Sequence, residues 1–520
     1  QRGQRFKIHI CFTIIYKRGI LMKILKNMKY YIFALIAILL IVFGIWMIRN
    51  KDSSETDKKE NDNIEETVSG DGVIVWSIPF HGALKENDIF VEKLNEQLKK
   101  DGYSFSVMFK TLEAYTSSYR ENLEAVLSSG ETDIANTGFY EDLSQVQSII
   151  RKGYFDELND YLFSEKGEQL YNAFDKALWK GVETDGKIYT IPNSTLVDGL
   201  LGVAFNKEYI PEELAKSFTG DFGDLLRFIN EDILKDEDII PIIICYHKFQ
   251  FSNVLGYDYR YGVFLDCRTG EVKNPYDTEE LYNFFSALHK MYKNGYLSKG
   301  NSFINEGDIS LVRKKIDDLD FAIMHPIFNL DDGLHDKVTI YRMPFYMISR
   351  LPGSTGIAKN SKNKEAALQL LTLLHTDEKY ANLLVYGEEG IDYKLIDGLV
   401  YNMDESPKGG YKSALGLYDT LYPTEGEYFM KNRKQQKYDL YNSPQKHDSV
   451  LLGFQINADN FTAEMRQVES ISEKYLDIWK EDNFVELYQE ARDVVGEASK
   501  ELIEELERQI EEWKRLYAGK

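Results

Sequence analysis

Between Val73 and Ala135 the chain alternates short apolar runs with amphipathic stretches, and this alternation constrains the fold more than any other feature. Val73-Ile74-Val75-Trp76 follows a Gly-Asp-Gly turn and reads as a buried strand, because a strand covered on both faces is continuously apolar. Residues 88–100 set Phe90, Leu94 and Leu98 on one helical face, and residues 105–109 supply a second strand after Asp101-Gly102. Residues 115–128 form a second helical pattern closed by Ser129-Gly130, and Asp133-Ile134-Ala135 a third strand. Strand and helix in alternation build an open α/β sheet with right-handed crossovers, whose ligands sit at the carboxyl ends of the strands.

Upstream lies a different kind of segment. Residues 30–48, YYIFALIAILLIVFGIWMI, are nineteen uncharged and largely apolar residues. As a helix they approach the roughly 30 Å hydrocarbon core of a bilayer. Lys23, Lys26 and Lys29 precede them, which directs the amino end, residues 1–29, to the cytoplasm and the body outside. Arg49-Asn50-Lys51 follow, with no small-residue cleavage site and no Cys to take lipid, which favours a retained signal-anchor. A signal cleaved at an unrecognised site is the alternative, and Met22 or Met28 would each begin a conventional signal region. Residues 49–72 carry charges of both signs and only Ile64 and Val68 as sizeable apolar side chains, the composition of a flexible tether. The expected localisation is therefore the cell membrane, crossed once, with the carboxyl-terminal body extracellular.

The body from Val73 onward is too long for one ordinary core and implies at least two lobes. A net charge of −22 and the lack of a basic, aromatic-interleaved stripe exclude nucleic acid as a partner. Cys11, Cys245 and Cys267 give no disulfide framework; the last two are either a pair or two buried thiols. H-E-x-x-H, G-x-S-x-G and C-x-x-C are missing, and the eight histidines form no cluster with metal-ligand spacing. No catalytic residue, metal or cofactor is expected. Gly181 to Lys187 matches G-x-x-x-x-G-K, but Ile188 stands where a hydroxyl is needed, and Glu183 and Asp185 would repel phosphate. An Asp-Gly turn is the better reading of that segment.

Farther along, residues 188–192 and 200–205 read as strands, and residues 222–228, 278–294 and 362–386 as helices. The last should break near His375, where Asp377 offers a new cap. Ile503, Leu506, Ile510, Trp513 and Tyr517 recur at spacings of three and four in a long closing helix, on which Glu504 can pair with Arg508.

Several pieces in order carry a resemblance. Ser129-Gly-Glu-Thr-Asp-Ile-Ala135, Gly153-Tyr-Phe-Asp-Glu-Leu-Asn-Asp-Tyr161, Gly186-Lys-Ile-Tyr-Thr-Ile-Pro192 and Phe205-Asn-Lys207 resemble stretches of the extracellular solute-binding proteins of family 1, the carbohydrate type that serves ABC importers. Ser354-Thr-Gly-Ile-Ala358, Lys364-Glu-Ala-Ala367, Tyr386-Gly-Glu-Glu-Gly-Ile-Asp-Tyr393 and Leu506-Glu-Arg-Gln-Ile-Glu-Glu-Trp513 are similar to the branch with a DUF3502-like carboxyl domain. Here no lipidated Cys follows the signal region, Phe205 stands where Tyr is usual, and the family's Trp-rich and Asn-rich ligand loops find no match.

The resemblance implies an α/β, periplasmic-binding-protein-like fold of type 2, with residues 73–192 and 323–350 as lobe I and 193–322 and 351–520 as lobe II. It places a hinge at Pro192, Asn193 and Ser194, with further crossings near residues 321–325 and 349–355. Candidate ligand contacts follow the strand ends: Trp76 and His81 after the first, Phe139 and Tyr140 after the third. Aromatic rings stack on the apolar faces of sugars, which is why such residues recur in clefts for polar solutes. Tyr257 and Tyr259, on one face of the alternating YDYRY run, and Glu389 in the YGEEG turn complete the set. The expected function is capture of a polar small solute, an oligosaccharide, for ABC permease subunits, with no enzymatic step. The alternative is a sensing or scaffolding protein built on the same lobes and coupled to a membrane sensor.

Overall fold

Ile74, Trp76 and Ile78 on one face and Val75 and Ser77 on the other are all buried, as expected of a strand covered on both faces, and the strand they belong to, Val73–Phe80, lies in the core of the first lobe. The structure is a computed structural model that describes residues 72–80, 90–113, 119–138, 143–193, 202–244, 250–297, 320–325, 337–349, 353–406, 408, 415–417, 419–424, 441–458 and 461–517. Residues 74–520 form one unit, distinct from 1–73. The apolar run 30–48 and residues 49–71 lie outside the described residues, among which no helix is long and apolar enough to cross a membrane.

Lobe I is a five-stranded sheet in the order Ser106–Glu113, Val73–Phe80, Ile134–Asn136, Thr355–Ile357, Thr190–Ile191. The first and third strands in sequence run parallel, with Trp76 opposite Ile134 and Ser77 opposite Ala135. Thr355–Ile357 lies antiparallel to both of its neighbours. One register row therefore reads Ser77, Ala135, Gly356, Thr190, all small, while the adjacent row carries Trp76, Ile134 and Ile357. The small row leaves room for Phe155, whose ring covers Gly356 and is itself 1% exposed. Two of the sequence motifs meet at this point. Asp156 N donates to Ile357 O (2.8 Å) and Lys359 N to Tyr154 O (2.7 Å), continuing the sheet into the 153–161 segment.

Asp133 ties the lobe together. Its carboxylate accepts from Val75 N at 2.9 Å, Ser361 Oγ at 2.5 Å and Asn363 Nδ2 at 3.3 Å, joining the first strand to the approach of the helix Lys364–Thr376. Replacing it with Ala strands those donors in a buried place, so Asp133→Ala is expected to cost about 2 kcal/mol. Urea unfolding measures this, and a loss below about 0.5 kcal/mol would show that water replaces the carboxylate freely.

Lobe II holds a four-stranded sheet in the order Val338–Arg342, Gly202–Asn206, Phe321–His325, Ile240–Ile244. Its core gathers Phe205, Phe218, Phe228, Phe251, Phe284, Phe285 and Trp479 around the helix Glu279–Lys293. A three-stranded antiparallel meander, Tyr257–Arg260, Val263–Asp266 and Val272–Lys273, packs through Val263 and Leu265 into a third core with Leu451, Phe454, Leu506, Ile510 and Trp513. The terminal helix Phe484–Tyr517 begins in the lobe II core at Phe484 and Tyr488 and ends in this third one.

The expected lobe boundaries differ from those found. Phe321–His325 is an interior strand of the lobe II sheet, and Thr355–Ile357 with the helices Lys364–Thr376 and Glu378–Tyr386 belongs to lobe I. An apolar strand reads alike in either sheet; only pairing decides its lobe. The chain leaves lobe I after Thr190–Ile191 and enters lobe II at Gly202–Asn206, returns from Val338–Arg342 to Thr355–Ile357, and passes a third time through residues 446–458 into the third core. In the latter two crossings, Phe345–Met347 runs parallel to Lys446–Asp448.

Other local readings meet mixed outcomes. The helical break near His375 is present, with Asp377 Oδ1 accepting from Lys379 N at 2.9 Å. Residues 222–228 form a 3₁₀ helix. Arg508 pairs with Glu505 (2.7 Å), one turn before it, and with Glu512 (3.1 Å), one turn after it, instead of with Glu504. Gly181 to Lys187 makes no phosphate cradle: Asp185 (φ 53°) and Gly186 (φ 75°) form the tight turn joining Glu183–Thr184 to Lys187–Ile188.

Candidate functional site

Strand direction brings the functional ends together. In lobe I the antiparallel strand Thr355–Ile357 pairs its first residue with both Asn136 and Ile191, so the carboxyl ends of two strands meet at the 353–355 crossing. In lobe II Phe321–His325 runs parallel to Ile240–Ile244 and antiparallel to Gly202–Asn206. Their carboxyl ends lie beside Gly202 and Arg342, where the first crossing enters lobe II and the second leaves it. Both sheets thus turn the carboxyl ends of these strands toward the crossings, the edges at which open α/β sheets generally take ligands.

At this junction a buried polar knot is built on Gly353. Its carbonyl accepts from Asn136 Nδ2 (2.9 Å) and from Asn193 Nδ2 (3.1 Å), so two side-chain amides from separate segments converge on one acceptor. Gly353 N donates to Gly138 O (2.6 Å), and Gly138 N donates back to Asn136 Oδ1 (2.8 Å). Thr137 N donates to Ser354 O at 2.8 Å, and the two hydroxyls stand 3.3 Å apart. Gly353 (φ 77°) and Gly138 (φ 84°) occupy the left-handed region that glycine adopts without strain, which lets the backbones approach. Pro192 and Asn193, two of the three expected hinge residues, are buried in or beside this knot; Ser194 lies outside the described residues.

A second set of polar contacts holds the 343–349 crossing to lobe II. Asn253 grips Tyr346 at both backbone atoms (2.8 and 2.9 Å), and Arg260 Nη2 donates to Ser349 O at 2.8 Å. Burial opposes the Arg260 charge, but Asp258, 3.0 Å away, outweighs it and raises the guanidinium pKa. Arg260, Asp258, Ser349 and Ser449 line a small pocket with Leu451 and Phe454. His325, at the carboxyl end of its strand, is fully buried edge-on to Phe222, and burial pushes its pKa down to about 3. In the sequence it figures only among the eight unclustered histidines and at the end of the expected 321–325 crossing, because an isolated histidine gives no pattern.

Of the candidate contacts, Trp76 sits in the lobe I core, stacked on Phe109 with ring centres 5.2 Å apart. Its Nε1 finds no hydrogen-bond partner among the described residues. Tyr257 stacks on Phe264 (4.7 Å), lies under the Arg268 guanidinium (4.9 Å) and donates to Glu280 (3.0 Å). Tyr259 packs edge-on to the same Phe264. Glu389 occupies an exposed turn bridged to Tyr393. The structure does not bring these four into one place, and Trp76, Tyr257 and Tyr259 serve packing. His81, Phe139 and Tyr140 lie outside the described residues. Cys267 is a buried free thiol whose pKa burial pushes up to about 12; Cys245 also falls outside them.

Two α/β lobes joined by crossings at the carboxyl edges of their sheets define a solute-binding protein fold. No family model matches the chain. It is 26% identical over 386 residues, 69% of its length and 74% of the other's, to a carbohydrate ABC transporter substrate-binding protein of Streptococcus pneumoniae serotype 4. Among solved structures it superimposes on the N-glycan transport solute-binding protein of Streptococcus pneumoniae with a TM-score of 0.61 at 20% identity, covering 85% of this chain and 99% of that one. An HMO-binding, ABC-transporter-associated solute-binding protein of Bifidobacterium longum infantis aligns with a TM-score of 0.56 at 15% identity, over 87% and 100%.

Proposed function

We propose that the chain is the extracellular solute-capturing component of an ABC importer and that its solute is an oligosaccharide. The observation that carries this is the convergence of both sheets' strand carboxyl ends on the first two crossings, which are tied together at Gly353. Such an arrangement lets two lobes turn on a few backbone angles and enclose a solute between them. The similarity to a carbohydrate substrate-binding protein supports the choice of solute. His81 follows directly on the first strand, and Phe139 and Tyr140 follow Gly138 of the knot, so we assign solute contact to these three rather than to the packed Trp76, Tyr257 and Tyr259. The run 30–48 keeps the body at the membrane, where permease subunits receive the solute.

Thermal shift of the chain with Man1GlcNAc, kestose and larger glycans tests the reading. A solute at one hundred times its Kd stabilises the folded state by about 2.7 kcal/mol. If none of these sugars raises the melting temperature while a peptide does, the oligosaccharide assignment is wrong. With a binding sugar in hand, Tyr140→Ala is expected to weaken affinity by about tenfold, as loss of one stacking ring does, at unchanged stability. Unchanged affinity would remove Tyr140 from the site.

A further inference from the structure

The terminal helix joins both lobes, and its two joints differ in chemistry. At its start, Phe484, Tyr488, Ala491 and Val495 are members of the lobe II core, and Asn274 Nδ2 donates to Arg492 O at 2.8 Å. Thirty-four residues of helix then span about 50 Å. Its last turn reaches lobe I, where the Tyr517 ring lies so close to the Asp185-Gly186 turn that a Cβ on Gly186 would stand 2.8 Å from a ring carbon. Beside it the third crossing makes a polar contact with the same lobe. Gln455 Nε2 donates to Gly181 O (3.1 Å), and its side-chain amide meets that of the buried Gln147 at 2.7 Å.

An apolar joint opens only by exposing its whole area to water. Amide contacts exchange for water at small net cost. The joint to lobe I is the smaller one, with only Leu452 and the Tyr517 ring beside the amides among the described residues, so the larger apolar joint keeps the helix and the third core with lobe II. We propose that the Tyr517–Gly186 and Gln455–Gln147 contacts are a latch, which holds the lobes in this arrangement and releases when lobe I turns on the crossings. The proposal rests on the two-lobe reading of the function and needs no particular solute.

Double electron–electron resonance on the full chain tests it without added solute, so that failure of the latch is separable from failure of the oligosaccharide assignment. Nitroxides go on Asn360→Cys in lobe I and Glu213→Cys in lobe II, in a background with Cys11 and Cys245 replaced by Ser; both labelled positions are exposed. Tyr517→Ala is expected to add a second distance population, displaced by about 5 Å or more, with the thermal transition retained. Gln455→Ala is expected to do the same. Distributions that superimpose on the parent's in both variants overturn the latch, and so does a change seen only together with loss of the thermal transition.

Discussion

Between pH 7.5 and pH 5 the folded body is expected to lose about 3 kcal/mol of stability, most of it through His325. This ring is 0% exposed, and burial pushes its pKa to about 3, whereas in the unfolded chain it titrates near the ordinary 6.5. Below pH 6.5 the unfolded state takes up a proton that the folded state refuses. The stabilisation is thus complete above pH 6.5, falls as pH drops through that value, and levels off only near pH 3. At pH 5 the difference amounts to about 2 kcal/mol for one such group. His375, beside Phe174, is also pushed down, to about 4, by burial against a partial offset from Asp419. The residue as a whole is only partly buried, so it contributes about half as much. Carboxylates with lowered pKa, such as Asp266 beside Arg268, act at lower pH: their stabilisation is present above the unfolded pKa and is lost only as pH falls through about 4 and below. Denaturant unfolding at five pH values from 5 to 7.5 measures the slope, and His325→Leu should remove about two-thirds of it. A flat profile in the parent, or an unchanged slope in the variant, would show that His325 is protonated in the folded chain.

The parts of the fold that were legible in the sequence are those set by local chemistry. The cap at Asp377, the Asp185-Gly186 turn and the first three strands each depend on a few neighbouring residues, and each is present. Where pairing across distance decides, the sequence was silent. Nothing local to Phe321–His325 says that it lies between Gly202–Asn206 and Ile240–Ile244, and nothing near Gly356 says that it enters the sheet of Ile134. The candidate site shows the same division. Trp76 was singled out as an aromatic ring at a strand end, yet its register beside Ile134 turns it into the core. Asn193 is expected at the hinge from its neighbours, but Asn136 and Gly353 are unremarkable singly and acquire meaning only when two amides meet one carbonyl. Polar convergence of this kind has no sequence period and must be seen in space.

Gly356 is where that long-range fit is tightest, and Gly356→Ala is expected to destabilise the chain by about 3 kcal/mol. A Cβ there would stand 2.5 Å from Phe155 Cδ1 and 2.8 Å from Cε1, well inside contact distance. Phe155 cannot step aside easily. It is 1% exposed, and its backbone is bridged to Ala358 next door. Gly356 is equally fixed, being paired to Ala135 on one side and Thr190 on the other. The added methyl must push the ring off its seat or bend the central sheet of lobe I. Phe155→Leu relieves the clash while giving up part of the ring's buried surface, at about 1 kcal/mol alone. The double variant should then be more stable than the sum of the single losses predicts, by at least 1 kcal/mol, which a double-mutant cycle in urea resolves. Simple additivity would mean that the methyl is absorbed elsewhere and that Phe155 is not what reserves this position for glycine.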